Sequence, residues 1–370
     1  MGAPEIFRAP GRVNLIGEHT DYNLGLVLPM AIDLYCYVTA APSNDGVLRV
    51  RSAQVPGDAE WRIEEIPSAK PSGQWTDRVL GIAWELVRRG HPLHGRNLWI
   101  DSEVPTGGGL SSSAALGVAT ALALGAPADP MTLAEIAHCA ETDFVGIPCG
   151  MMDQFISAFG QAGSAILLDC RTLEGKAARL PDGIAIVVAN SMVKHDLASS
   201  AYRIRVEECA VASRRLGIAS LRDAAVSDLA RLDGTLLRRA RHVVTENARV
   251  TCFAEALDRN QPENLGRILM ESHASLRDDY EVSCTELDFL VETAFRMPGI
   301  LGARMTGGGF GGSTVNLVEE NAAERFMETL ADEYRQRMGI VPEIRRCLSS
   351  EGASKVVTRH APNPNAGKER

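Results

Sequence analysis

The sequence lacks paired cysteines. Eight cysteines stand at positions 36, 139, 149, 170, 209, 252, 284 and 347, with no CxxC spacing and no histidine cluster beside them. That argues against a structural zinc site and against a disulfide framework. Most are expected to be small buried hydrophobes. The most apolar window, "ALGVATALALGAPA", is too short and too rich in alanine to span a bilayer. "MGAPEIFRAP" has no basic start followed by an apolar core, so a reducing cytoplasm is the expected location. Excess positive charge is absent too. The formal net charge is -9, which gives no bulk attraction to nucleic acid or to an anionic membrane, and neither is expected as a partner. A phosphorylated ligand would need local positive potential. The Walker signature GxxxxGK[ST] is missing, as are the HRD and DFG segments of protein kinases.

What remains is the composition of a soluble globular protein, 45% hydrophobic and 23% charged over 370 residues. That length favours two domains over one. "LVLPMAI", "LYCYVTAAP", "VLRVRSA", "NLWIDSEV", "SAILLD" and "GIAIVVAN" read as strands. "SSSAALGVATALAL" reads as a helix, and Thr132 with Glu135 reads as a capping box for the next one. From about Ser199 the 3.6-residue period dominates, and "STVNLVE" and "EIRRCLSS" return to strand around the helix "AAERFMETLADEYRQRM". The class is α+β. The expected division is a first domain over 1–180, a second over 181–358, and a polar, proline-containing disordered tail over 359–370.

Three segments carry more polar or glycine residues than a scaffold requires. "GRVNLIGEHTDYN", residues 11–23, gathers an arginine, two asparagines, a glutamate, a histidine, a threonine and an aspartate. "PTGGGLSSSAAL", residues 105–116, follows a strand and opens a helix. Its glycines free backbone N–H groups to face one concavity, and the helix N-terminus adds positive potential. A tight turn with Ser111 as N-cap would need fewer glycines and serines. "TGGGFGG", residues 306–312, contains GxGxxG, but the β-pattern "STVNLVE" follows it instead of a helix. It reads as a glycine loop that approaches a ligand or another backbone.

If the first glycine loop holds nucleotide phosphates, the reaction needs an acceptor hydroxyl, charge neutralisation and a base. Asp153, in the apolar "CGMMDQF", is the candidate, because a carboxylate there needs a partner or a task. A helix-capping or surface role is its ordinary alternative. Glu141 could share a Mg²⁺ with Ser113, since that ion takes a few carboxylate and hydroxyl oxygens beside phosphate and water. A solvated place on a helix face is the commoner fate of such a glutamate.

Together the three motifs resemble those of the GHMP small-molecule kinases, and the first is similar to the galactokinase signature. "CGMMDQFISAFG", "LASSAYRIRVEECA" and "SLRDDYEVSC" add to the likeness, which runs from about residue 7 to residue 357. The resemblance implies a mixed α/β N-terminal domain, a ferredoxin-like C-terminal domain and an active site between them. It implies transfer of the ATP γ-phosphate to the anomeric hydroxyl of α-D-galactose, with Mg²⁺. Carried over, Asp153 is the base and Arg12 the residue that stabilises the charge in transfer. Glu18, His19, Thr20 and Asp21, with Gly150 and Tyr202, hold the sugar. Gly107, Gly108, Gly109, Leu110, Ser111, Ser112 and Ser113 form the phosphate loop, Ser113 and Glu141 bind the metal, and Trp75 stacks on adenine. A monomer is expected, with an oligomer left open. A kinase for a related sugar such as N-acetylgalactosamine is the nearest alternative. A non-catalytic galactose sensor is a more distant one, since the serine loop, Arg12 and Asp153 are all present.

Overall fold

"LVLPMAI" and "LYCYVTAAP" are largely one strand, because nothing between them breaks the extended run. In the computed structural model, which describes residues 3–194 and 198–356, that run is β3. The first part of the chain comprises β1 (Glu5–Asn14), β2 (Leu26–Val27), β3 (Pro29–Pro42), β4 (Val47–Ser52), β5 (Ala59–Arg62), helix α1 (Asp77–Arg88) and β6 (Arg96–Ser102). Helices α2 (Ser112–Ala123), α3 (Pro130–Cys139) and α4 (Met152–Phe159) follow, then the hairpin β7 (Ser164–Asp169) and β8 (Glu174–Arg179). The chain continues with β9 (Ile184–Lys194), α5 (Ala198–Leu216), α6 (Gly234–Asp258), α7 (Pro262–Asp278), α8 (Thr285–Ala294), β10 (Ile300–Thr306), β11 (Gly311–Glu319), α9 (Ala323–Met338), β12 (Glu343–Cys347) and β13 (Ser354–Lys355).

The first sheet has the order β13-β1-β3-β6-β4-β5 and is mixed, since β4 and β6 run parallel. Helices α2 and α4 lie on β1 and β3, and the alternating buried side chains of these strands meet the alanine-rich α2. The second sheet is antiparallel, in the order β10-β11-β9-β12. With helical segments between β9 and β10 and α9 between β11 and β12, it is a βαββαβ unit, the ferredoxin-like arrangement. Helices α8 and α9 bury its face against Phe326, Leu330 and Tyr334. The chain passes from β8 to β9 between Arg179 and Ile184, yet its last described strand, β13, returns to pair with β1. The two units are therefore joined at both ends. The expected tail, 359–370, lies outside the described residues.

One local expectation is overturned. The helix bearing Thr132 begins at Pro130, and its cap is Asp129, whose carboxylate accepts from Thr132 N at 2.9 Å. Proline at the first helical position is pre-organised for the helix and has no N–H to leave unpaired, so the start falls earlier than Thr132. Glu135 instead reaches Arg89 at 3.1 Å.

Candidate active site

Two cavities meet between the units. One, of about 630 Å³, is lined by Arg12, Glu18, His19, Asp21, Gly150 and Tyr202 among others. The second, of about 860 Å³, is lined by Trp75, Gly107, Gly109 and the serines 111–113 among others. Arg12, Ser113 and Asp153 border both. The first is termed the acceptor cavity and the second the donor cavity.

Arg12 reaches this junction because β1 bulges between Pro10 and Arg12. A bulge re-aims the side chains that follow it. Gly11 is needed there, since a Cβ would stand 2.8 Å from the Leu110 carbonyl. Arg12 N donates to that carbonyl at 3.1 Å. The guanidinium then makes a two-pronged pair with Asp153, Nε to Oδ1 and Nη2 to Oδ2 at 2.7 Å each, while Nη1 donates to Gly109 O. Such bidentate pairs are strong and fix geometry. Asp153 sits in the first turn of α4, where the helix dipole favours a negative charge. Ser111 donates its hydroxyl to Asp153 Oδ2. Ser111 does occupy the N-cap position of α2, but with φ 59° and no side-chain cap. A non-glycine residue in the left-handed region carries strain that functional sites commonly hold.

The glycine loop between β10 and β11 explains its own composition. A Cβ on Gly307 would stand 3.1 Å from Gly109 O, so the two glycine loops lie backbone against backbone. Ser313 Oγ donates to Gly108 O at 2.6 Å. Gly108 thus faces the other unit, while Gly107 and Gly109 line the donor cavity. The loop closes a hairpin and also walls the acceptor cavity through Gly307 and Gly308.

The sugar-loop candidates divide. Asp21 lines the acceptor cavity, and burial, with Asp153 nearby, pushes its carboxyl up to about 7. Gly150 has no room for a side chain, because a Cβ would collide with the Asp21 carboxylate. Tyr202 lies tilted by 40° against the His19 ring, centroids 5.5 Å apart. Both nitrogens of His19 are engaged. Nε2 faces the Gly308 carbonyl at 3.2 Å, which can only accept, so Nε2 carries the proton. Nδ1 then accepts from Tyr22 Oη at 2.8 Å, Tyr22 from Tyr280 Oη at 2.8 Å, and Tyr280 from the Cys209 thiol at 3.0 Å. Burial, with His242 nearby, pulls His19 down to about 3, so the ring is neutral near pH 7. Thr20 corrects the expectation. It is fully buried away from the cavity wall, and its hydroxyl donates to the Gly17 and Leu26 carbonyls at 2.8 and 2.7 Å. Its part is to close the loop.

Glu18 borders the cavity but is only 2% exposed. Its carboxylate accepts from Arg304, Asn14, Thr306 Oγ1 at 3.0 Å and Gly307 N at 2.7 Å. The sequence reading missed the buried set behind it. His242 Nε2 donates to Glu18 O at 3.1 Å, Glu246 accepts from Gly17 N at 3.1 Å, and Asn247 accepts from Leu26 N at 2.8 Å. His242 and Glu246 sit one turn apart on α6, with Asn247 next in the chain. Burial opposes the Glu246 charge, but Arg249, His242 and Arg304 hold it down to about 2. The signal available was Arg304, a lone charge inside the apolar "ILGARMT" before a glycine loop.

Glu141 accepts from Gln154 Nε2 at 3.0 Å; burial pushes its carboxyl up, and Arg78 and Ser113 oppose that. Gln154 Oε1 is buried beside them without a partner. Among the described residues no group of three or more His, Cys, Asp or Glu could hold a metal by itself. A hydroxyl and one carboxylate at the junction suit an ion that takes its other oxygens from phosphate and water. Trp75 lines the far side of the donor cavity, its Nε1 donating to the Pro56 and Gly57 carbonyls at 3.2 Å.

Comparison with known proteins follows this geometry. Residues 1–42 match the galactokinase galactose-binding signature, 77–161 the GHMP kinase N-terminal domain, and 253–336 the GHMP kinase C-terminal domain. A galactokinase of Roseiflexus sp. (strain RS-1) is 44% identical, covering 96% of this chain and 94% of that protein. The chain belongs to the galactokinase family. The Homo sapiens galactokinase is 46% identical, over 88% of this chain and 86% of its own. Among solved structures, Lactococcus lactis galactokinase complexed with galactose superposes with a TM-score of 0.90 at 34% identity, covering 95% of each chain. Methanococcus jannaschii mevalonate kinase matches at a TM-score of 0.71 and 17% identity, covering 95% of this chain and 99% of its own, which shows the shared fold. As a galactokinase-family member the chain is a sugar kinase, with ATP as the co-substrate of that class.

Proposed function

We propose that this chain transfers the γ-phosphoryl group of ATP to the anomeric hydroxyl of α-D-galactose, giving galactose 1-phosphate and ADP. The observation that carries the reading is the Arg12–Asp153 pair at the meeting of the two cavities. The sugar occupies the acceptor cavity, its hydroxyls met by Asp21, Tyr202 and the loop of Glu18 and His19, with Thr20 shaping that loop and Gly150 leaving room for Asp21. ATP lies in the donor cavity, adenine towards Trp75 and phosphates against residues 107–113.

In the transfer, the anomeric oxygen forms a bond to the γ-phosphorus while the bond from that phosphorus to the β,γ-bridging oxygen breaks. The hydroxyl proton passes to Asp153. Because such transfers are largely dissociative, the proton leaves late, and Asp153 first orients the hydroxyl. Arg12 stands where charge builds on the transferring group, and its bond to Gly109 O ties it to the phosphate loop. Ser111 restrains the Asp153 carboxylate. Ser113 and Glu141 would hold Mg²⁺, which when bound neutralises phosphate charge. A division at residue 180, with the site between the halves, fits this arrangement. No described helix is long and apolar enough to cross a membrane. The enzyme is read as cytoplasmic and as a monomer, with an oligomer left open.

The test is an ATP-dependent phosphorylation assay over a panel of monosaccharides that includes N-acetylgalactosamine, with Asp153→Asn as control. Turnover of galactose by the wild type alone is expected. Galactose binding without turnover would make the chain a sensor, and turnover of another sugar in its place would reassign the substrate.

A further inference from the structure

Among the described residues lining the donor cavity, the positive charges are Arg12 and Arg78. Arg12 is committed: Nε and Nη2 bind the Asp153 carboxylate and Nη1 binds the Gly109 carbonyl. The loop of residues 107–113 contains no lysine. A nucleoside triphosphate entering this cavity also meets Glu343 and Asp153 in its wall. Backbone N–H groups and one neutralised guanidinium would have to balance all of that charge.

Arg78 is differently placed. It lies in the first turn of α1, and its backbone N–H donates to Trp75 O at 3.3 Å, so it follows Trp75 by one turn. Both side chains line the donor cavity. Its Nε is buried without a hydrogen-bond partner. Its contact with Glu141 is 4.0 Å long, beyond hydrogen-bond reach. Glu141 meanwhile accepts its hydrogen bond from Gln154, and Arg78 acts on it only through space. A buried donor with no partner calls for an explanation, and an absent ligand is one. The side chain is 32% exposed, so its fork can be reached from the cavity. A planar guanidinium matches two phosphate oxygens at once, which an ammonium does not.

We infer that Arg78 binds the phosphates of the nucleotide, between Trp75 at one end and Ser113 at the other. The inference rests on the reading of the donor cavity as an ATP site. Ligand phosphate oxygens would meet the exposed part of the fork, while the buried Nε stays on the Glu141 side at 4.0 Å. Arg78 is then the uncommitted cation of the donor side, and Arg12 the committed one at the junction.

The test uses the full chain with Arg78→Met and Arg78→Lys, each checked by thermal denaturation for a folded state. ADP and adenosine are titrated separately by calorimetry, and KM is measured for ATP and for galactose. In Arg78→Met, ADP binding and the ATP KM should worsen by roughly tenfold or more, as for loss of a charge-assisted bond. Adenosine affinity and the galactose KM should stay within twofold. Arg78→Lys should recover part of the loss, because the charge stays and the fork goes. Unchanged ADP binding in Arg78→Met would overturn the inference. So would equal losses for ADP and adenosine, which would make Arg78 a contact of the base or a prop for Trp75. Failure of the wild type to phosphorylate galactose would instead strike the functional reading, and the ADP titration would still decide the role of Arg78.

Discussion

The acceptor and donor cavities share a border but are finished to different degrees. In the acceptor wall, Glu18 accepts four hydrogen bonds and both His19 nitrogens are engaged, with Gln154 Oε1 left without a partner. In the donor wall, glycine backbone and serine hydroxyls stand beside Gln54, Asn190 and Glu343, and Arg78 Nε has no partner. The difference follows the ligands. A neutral sugar differs from its isomers only in where hydroxyls point, so discrimination needs rigid, fully supported groups. A triphosphate carries its own charge and can complete an unfinished set of donors on arrival.

The largest expected effect lies at the border itself. Asp153→Asn removes the proposed proton acceptor and should lower kcat by about 10²–10⁴-fold, with galactose still bound, as steady-state kinetics and sugar titration would show. Arg12→Ala should likewise act on kcat; if only the sugar KM rose, Arg12 would belong to the acceptor wall alone. Next comes the support of the acceptor wall. Glu18→Ala removes one of the two carboxylates of fully buried Arg304, leaving Glu246 at 3.5 Å. Breaking a buried pair costs about 3–5 kcal/mol, which should appear as a lower denaturant midpoint. A variant as stable as the wild type would show that the wall is not pre-braced.

Tyr22→Phe is a smaller cut. It deprives His19 Nδ1 and Tyr280 of a partner at about 1–3 kcal/mol, and should raise the sugar KM while leaving that for ATP alone. An equal rise for both would dissolve the distinction between the cavities. The mildest probe is pH. The folded Asp21 carboxyl titrates at about 7 against an ordinary 3.8, so the folded state holds a proton that the unfolded chain releases. Its contribution is fully present below the ordinary value and is lost as pH rises towards 7, at no more than about 1.4 kcal/mol per pH unit. Asp21→Asn should abolish that part of the stability slope between about pH 4 and 7, measured by denaturation at fixed ionic strength.

How much of this was legible depended on whether a signal was local. The two glycine loops stood out because they hold more glycine and serine than a turn needs, while Asp153 kept an ordinary capping or surface alternative and Arg12 gained its role only through the family resemblance. Helix α1 escaped notice, in part because Gly81 interrupts it. The structure explains the glycine, since a Cβ there would stand 3.2 Å from the Ala140 carbonyl of a neighbouring helix. Strand β10 was obscured by Arg304, whose partner Glu18 lies at the other end of the sequence. Thr132 and Glu135 had the spacing of a cap, but Asp129 with Pro130 had the stronger claim, and only the backbone shows which began the helix. Thr20 looked like a ligand because its neighbours were candidates. Its hydroxyl turned inward to two carbonyls that no spacing rule could nominate.

The Glu18 carboxylate also bears on how the molecule comes into being. Its guanidinium partner is 286 residues downstream, in the strand before the last glycine loop. While the chain is being made, the loop that will face the sugar must wait, solvated and unbraced, until nearly the whole sequence has emerged. The first half carries five of the six strands of its sheet, the sixth being β13, and it cannot set that loop. Recognition of the sugar is therefore acquired late and all at once, as a property of the finished chain and not of the segment in which its signature is written.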